Sequence, residues 1–256
     1  YTNASITFCK VNLINDHIDC IKRMINVKYI KFVECKIKDN INLSKLNQRL
    51  CFYEMDLSDK EIEIISQGNA KSLGFCNMDV PAYFGKCLSK FKSKSLEFID
   101  CIISSKAIEY LSEWNGHMLH FDSCQLLNKS YCHLKEWNGY HMCLHNTYGI
   151  IENVPEISSW KIPSLHISDV DNYECLSFMT LWSGWRLKLS NIILSTPERR
   201  LELFRHFSKS KILDLQFCDI KEDDPLFSDF NMISATARLN FITKISSILT
   251  KLFLQK

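Results

Sequence analysis

The amino-acid sequence predicts an α/β protein built as a solenoid, in which about ten short strands stack side by side in a parallel sheet. One apolar pattern recurs along the 256 residues at intervals of 20 to 26. Phenylalanine fills its second slot in six consecutive copies, which a false register would not produce. Repeats of this length are typical of stacked units, because one unit cannot bury its own apolar edge.

Each copy reads apolar, x, apolar, x, x, apolar or Cys, x, apolar. Of forty such slots, only His145 and Asn172 are not apolar. The first two slots alternate and so share one face of a strand, the third marks a bend, and the fourth returns to the core. Stacking with a crossover after each strand predicts parallel pairing. The copies begin at Ile6, Ile30, Leu50, Leu73, Leu96, Leu119, Cys143, Leu165, Leu187 and Leu213.

The segments between the strands predict helices on the other side of the sheet. Their apolar residues recur three and four positions apart, which places them on one face of a helix. The clearest sets are Ala107, Ile108, Leu111 and Trp114, and later Leu201, Phe204 and Phe207.

Three Trp–Gly segments end units, at 113–116, 136–139 and 181–185. We interpret Gly116, Gly139 and Gly184 as left-handed helix caps, with the tryptophans packed beneath them. An exposed tryptophan ridge for binding is the alternative.

The twelve cysteines follow the repeat rather than a disulfide framework. Four of them share the third slot, where a thiol fills space and caps the turn as a weak donor. This use of free thiols favours a reducing, intracellular setting, and we expect the cytoplasm. Three others fall on outward strand positions, where no sequence neighbour clearly lowers a thiol pKa. The first group is Cys35, Cys101, Cys124 and Cys218, and the second is Cys9, Cys51 and Cys76.

The run SLEFIDCIISSKAIEYLSEW at 95–114 resembles the ribonuclease-inhibitor-like and cysteine-containing subclasses of leucine-rich repeats, as does LDLQFCDI at 213–220. Those repeats read L-x-L-x-x-(N/C)-x-L-(S/T), followed by a helix. This chain departs from them in its phenylalanines and in its shorter, variable units. The resemblance implies a horseshoe with the strands on its concave face and helices and loops on its convex face. It also implies a binding role, as in F-box substrate receptors, immune sensors and ribonuclease-inhibitor-like binders.

The predicted organisation is a leucine-rich-repeat array over 1–220 and a capping segment over 221–256. A polar break, KEDDP, follows the last strand, and 231–254 has the spacing of an amphipathic helix. Capping an open solenoid end is the expected role of this helix, and a membrane-surface or partner helix is the alternative. Because the chain begins with Tyr1 rather than methionine, we expect it to be a fragment or a processed product.

Composition and motifs exclude several functions. The net charge of +2 does not favour nucleic-acid or membrane-surface binding. No apolar run approaches the ~18 residues of a membrane span. The chain lacks the nucleotide-binding and hydrolase motifs and has no C-x-x-C pair, so we expect no cofactor, no catalytic residue and no metal site. His141 and His145 lie on a predicted strand, and His145 is interpreted as a core residue. The oligomeric state is not indicated.

The expected contact surface consists of outward strand residues, because the resemblance implies that the concave face binds. Aromatic and arginine side chains are frequent interface anchors. The candidates are Tyr29, Lys31, Arg49 and Tyr53 at one end, Glu97, Asp100, His120, Asp122, His166 and Asp169 in the middle, and Arg186 and Lys188 beyond.

A protein partner is therefore expected, with the chain serving as the recognition module of an intracellular receptor or adaptor. The alternatives are a structural subunit of a large assembly and an enzyme that uses the central histidines and carboxylates. A histidine–carboxylate metal site across neighbouring strands is a further alternative to ordinary solvated side chains.

Overall fold

The structure is a computed structural model that describes residues 4–24, 26–38, 41–127, 130–150, 153–169, 181–191 and 212–216. The chain divides into two compact units, Tyr1–Gly149 and Ile150–Lys256. Within the described ranges, no helix combines the length and the apolar character that crossing a lipid bilayer requires.

The first unit alternates strands and helices. Its strands are β1 (Ala4–Cys9), β2 (Asn12–Leu13), β3 (Val27–Val33), β4 (Lys36–Ile37), β5 (Arg49–Tyr53), β6 (Ser72–Cys76), β7 (Asp79–Val80), β8 (Ser95–Ile99), β9 (Ile102–Ile103), β10 (Met118–Asp122), β11 (Gln125–Leu126) and β12 (His141–His145). Its helices are α1 (Asn15–Arg23), α2 (Asp59–Ser66), α3 (Ala82–Leu88), α4 (Ser105–Leu111) and α5 (Ser130–Leu134), with a 3-10 turn at Leu43–Lys45.

The long strands of this unit form one parallel sheet in the order β1-β3-β5-β6-β8-β10-β12. First-slot residues pair with first-slot residues, so that Leu50 lies beside Leu73 and Leu73 beside Leu96. The sequence prediction of an α/β fold with parallel strands is confirmed.

The second-slot phenylalanines form a continuous stack beneath the sheet. The ring centroid of Phe98 lies 5.7 Å from that of Phe75 and 5.5 Å from that of Phe121, and all three side chains are fully buried. On the helical side, Ala107, Ile108 and Leu111 of α4 are buried as their spacing predicts. The repeat therefore places alternate strand residues in the core and leaves the others on the opposite face.

Within the described residues, the bend after a long strand is made by a residue with positive φ. Asp100 has φ 52°, and its N–H donates to the carbonyl of Asp122 at the end of the next strand, at 2.8 Å. The bend residues are Lys10, Glu34, Glu54, Asn77, Asp100, Ser123, Asn146, Asp169 and Asn191. Asp100 and Asp169, predicted as outward strand residues, therefore lie in the bends instead.

Third-slot thiols cap the bends as predicted. Cys124 donates to the carbonyls of Phe98 and Asp122, both at 3.3 Å. Cys35 and Cys101 make the equivalent pairs of hydrogen bonds. Cys218 lies outside the described residues.

In the seventh copy of the repeat, the observed strand register differs from the predicted one by one residue. Met142 and Leu144 of β12 fill the core slots, and Cys143 and His145 face outward. The hydroxyl of Thr147 donates to the carbonyls of Phe121 and His145 at 3.2 and 3.0 Å, which is the role of the third-slot cysteine. The interpretation of His145 as a core residue is therefore wrong. A polar third slot concealed the register, and a slip of one residue exchanges the two faces of a strand.

The tryptophans of the three Trp–Gly segments are buried. Their glycines are not the left-handed helix caps that the sequence predicted. Gly116 is not left-handed. A Cβ atom at this position would lie 1.9 Å from Cζ2 of Trp114. Gly139 and Gly184 stand in the same relation to Trp137 and Trp182. Glycine is needed because the indole occupies the space of its side chain.

The second unit contains α6 (Val154–Ser158) and three strands, β13 (Ser164–Ser168), β14 (Arg186–Ser190) and β15 (Ile212–Gln216). The strands pair in parallel, β13 with β14 and β14 with β15. Leu165 and Leu187 fill first slots and are fully buried, as predicted. The predicted helix residues at 201–207, Asn172 and the segment 221–256 lie outside the described residues.

Candidate binding surface on the outward face of the strands

The side chains opposite the core form rows that run across the strands of the first unit. We call the middle one the central row. Its members are neighbours in the strand register, and each lies between the two core slots of its strand. The central row consists of Lys31, Cys51, Gly74, Glu97, His120 and Cys143.

A charged cluster occupies the middle of this face. The carboxylate of Glu97 accepts a hydrogen bond from the guanidinium of Arg49 and another from Nδ1 of His120, the latter at 3.1 Å. Arg49 lies on β5 and Glu97 on β8, and the strand between them carries Gly74. A Cβ on Gly74 would lie 3.4 Å from the Glu97 carboxylate. A side chain larger than alanine at this position would therefore meet the carboxylate of Glu97.

This cluster shifts the pKa values of both its titratable members. Burial opposes the charge on Glu97, but the hydrogen bonds from His120 and Arg49 outweigh it and lower the pKa to about 2. Burial likewise opposes the charge on His120, but the neighbouring Cys143 sulfur and the hydrogen bond with Glu97 raise its pKa to about 10. At neutral pH the face therefore carries a fixed sequence of charges, positive at Arg49, negative at Glu97 and positive at His120.

Cations and aromatic rings lie together at the N-terminal end of the face. The ammonium of Lys31 lies 4.1 Å from the ring centroid of Tyr53. The guanidinium of Arg49 lies 5.7 Å from the ring centroid of Tyr29. Both arrangements are within the range of cation–π attraction. The predicted basic and aromatic patch is thus a set of contacting side chains.

A pair of thiols lies between these two groups. Cys51 and Cys76 are 3.2 Å apart, measured between their sulfur atoms. Hydrogen bonds from the Cys76 thiol and from Tyr29 lower the pKa of Cys51 to about 7 in spite of its burial. The sequence prediction that nothing nearby lowers a thiol pKa is therefore wrong for Cys51. The perturbing groups lie on neighbouring strands, some 22 and 25 residues away in the chain.

The remaining candidates form smaller groups. In the first unit, Nδ1 of His145 lies 3.1 Å from a carboxylate oxygen of Asp122. In the second unit, Nε2 of His166 lies 3.0 Å from the hydroxyl of Ser190. Asp169 accepts a hydrogen bond from Asn191 in the next bend. Arg186 and Lys188 lie on β14, in register with Ser164 and His166. His145 belongs to the outward face and was missed because of the register error.

Within the described ranges, no group of three or more His, Cys, Asp and Glu side chains is arranged to hold a metal ion. Comparisons with protein-family models, with curated proteins and with solved structures find no match for this chain.

The charged cluster predicts a stability optimum in mildly acidic solution. The lowered pKa of Glu97 stabilises the fold above its ordinary value of 4.5, and this contribution is lost as the pH falls toward 2. The raised pKa of His120 stabilises the fold below 6.5, and this contribution is lost as the pH rises toward 10. We expect Glu97→Gln to lower the free energy of unfolding by roughly 1–2 kcal/mol, with the largest difference between about pH 4.5 and 6.5.

Urea unfolding of both proteins across this pH range measures the effect. Glu109→Gln is the matched control, since Glu109 pairs with Lys106 on an exposed helix surface and exposed pairs contribute little. A pH-independent difference for Glu97→Gln would contradict the assignment of the two pKa shifts.

Proposed function

We propose that this chain is a protein-recognition module of the leucine-rich-repeat type, whose strands line the concave face of a solenoid. The repeat of strand, left-handed bend, capping thiol and helix supports this assignment. The proposal that this module binds a partner depends on one observation: long charged and aromatic side chains are held in place across the strands of the outward face. Arg49, Glu97 and His120 form its centre, and Lys31 with Tyr53 extends it.

Preordered side chains of these types suit binding to a macromolecule. Ordering a flexible charged side chain costs roughly 0.5–1.5 kcal/mol when a complex forms, and here neighbouring strands already hold the side chains in place. Tyrosine and arginine are enriched among the residues that dominate interface energies. A face of this kind presents a pattern of charge to a partner's surface, and its role in this proposal is binding, without turnover of a substrate.

The proposed setting is the interior of the cell, in a receptor or adaptor. The ten cysteines within the described residues are all free thiols. Proteins of oxidising compartments usually pair their cysteines, whereas several of these thiols donate hydrogen bonds that a disulfide would remove. Their arrangement thus supports a reducing environment.

Reversing two charges on the outward face should weaken partner binding. We expect the double variant Lys31→Glu, Arg49→Glu to recover at least about tenfold less partner than the unmodified chain, because it inverts the charge pattern to which the partner's surface is complementary. The measurement is quantitative mass spectrometry of proteins that co-purify with the tagged chain from its own cells.

The control reverses the same number of charges on the helical side, at Lys86 and Lys90, which are both exposed. Circular dichroism and urea unfolding establish that both variants are folded. Equal recovery of the same partners by the two variants would show that the outward face is not the contact surface.

A further inference from the structure

The thiol pair of Cys51 and Cys76 has a geometry that a structural role does not explain. Cys51 belongs to β5 and is in register with Gly74 of β6, so Cys76 lies two residues further along the neighbouring strand. Both side chains face away from the core, and their sulfur atoms are 3.2 Å apart. The third-slot thiols donate to main-chain carbonyls. In contrast, neither Cys51 nor Cys76 has a main-chain partner within the described residues.

The strand geometry disfavours a disulfide at this place. A strand spacing of about 4.8 Å and a rise of about 3.3 Å per residue put the two Cα atoms about 8 Å apart. Disulfides need Cα atoms within about 7 Å. The two side chains must therefore lean toward each other to reach the observed sulfur separation. Closing a covalent bond would require the strands to move, but an atom inserted between the sulfurs would require only that the side chains lean back.

The surroundings favour thiolate chemistry. The two thiols are hydrogen-bonded to each other, and either sulfur can be the donor, so both already face the same point between the two strands. Lys31, which is in register with Cys51 on the neighbouring strand, places a positive charge beside the pair. Opposite charges nearby stabilise an anionic ligand set.

We propose that Cys51 and Cys76 bind one soft, thiophilic cation, Cu(I), in a two-coordinate site bridging β5 and β6. Soft thiolate ligands select Cu(I), and two thiolates suffice for this ion, whereas Zn²⁺ takes four ligands. On binding, Cu(I) forms two S–Cu bonds in place of the two S–H bonds, and the thiol protons pass to solvent. No electron is transferred. The resulting site carries one negative charge, which Lys31 and Arg49 face.

The site is sheltered from solvent. Cys51 and Cys76 are 3% and 4% exposed. Beside Cys51 the chain carries Gly74, and a Cβ atom there would lie 3.5 Å from the Cys51 sulfur. Gly74 therefore adds no side chain against this sulfur. Burial of this kind also shields a bound Cu(I) ion from oxidants and from competing ligands.

The test is a competition for Cu(I) between the full chain and the chromophoric chelator bicinchoninate, under anaerobic conditions. We expect Cys51→Ser and Cys76→Ser each to retain one equivalent of Cu(I) less than the unmodified chain. The double variant should lose no more than either single variant, because one ion needs both sulfur atoms. Cys9→Ser is the matched control, being another outward strand cysteine, and should retain as much as the unmodified chain.

Retention of the full amount by either single variant, or a loss of two equivalents by the double variant, would overturn the proposal. Cys51→Ala and Cys76→Ala repeat the measurement with a second substitution, and circular dichroism establishes that each variant is folded. X-ray absorption should show two sulfur ligands for the Cu(I) ion that the unmodified chain binds and the single variants do not. Rapid formation of a Cys51–Cys76 disulfide on treatment with hydrogen peroxide would also count against it, because the strand geometry then permits the covalent bond.

Discussion

Replacing Gly116 by alanine should destabilise the first unit by about 3 kcal/mol, at the upper end of the range for overpacked cores. The added Cβ would lie 1.9 Å from Cζ2 and 2.0 Å from Cη2 of Trp114. The indole has no room to withdraw, since it is 1% exposed and its Nε1 donates to the carbonyl of Phe91 at 2.8 Å. Moving it would also disturb Trp137, whose ring stacks on it at a centroid distance of 6.3 Å.

Urea unfolding followed by tryptophan fluorescence measures this effect. Gly74→Ala is the matched control, because the nearest atom to its added Cβ would be 3.4 Å away, an ordinary contact. A second comparison uses Trp114→Phe, which removes the part of the ring that lies against Gly116. We expect the double variant Gly116→Ala, Trp114→Phe to be more stable than the sum of the two single losses implies. Additive losses would show that the indole contact is not the reason for the glycine.

The repeat itself was predictable because packing imposes a strict rule on each strand. Leu96 and Phe98 must both enter the core, and the same spacing recurs wherever another strand joins the sheet. The fold of the first unit follows from that spacing, and so do the positions of the strands. The register of β12 was not predictable by apolarity, because Thr147 performs with a hydroxyl what Cys124 performs with a thiol. Apolarity is not the property that this slot requires.

The sequence predicted on which face of the sheet the candidate residues lie, but not which of their side chains contact one another. Alternation along the strands places Arg49, Glu97 and His120 on the outward face, but their mutual contacts depend on how far each side chain reaches across its neighbours. Arg49 reaches Glu97 because the intervening strand carries Gly74. The thiol pair depends on a diagonal neighbour, which the order of residues in one strand does not reveal. The bends were missed for a similar reason, since Glu34 and Glu54 adopt positive φ without a glycine to signal it.

The other large effect concerns the stack of phenylalanines beneath the sheet. Phe98→Ala should lower the free energy of unfolding by about 3–5 kcal/mol, the range for large aromatic side chains removed from a core. Phe98 is 0% exposed and lies between Phe75 and Phe121, at ring centroid distances of 5.7 and 5.5 Å. Its removal leaves a cavity bounded by rings on both sides, and neither ring can fill it without leaving its own strand position.

Ile99→Ala is the matched control for this variant. Ile99 is the next residue on β8, points to the outward face and is only half-buried, so its truncation should cost roughly 1 kcal/mol or less. Urea unfolding of both variants at one pH gives the comparison. Because neighbouring units share their interfaces in stacked repeats, hydrogen exchange should show lost protection in β6 and β10 as well as in β8. Loss confined to β8, or equal destabilisation by the two substitutions, would contradict a continuous aromatic core.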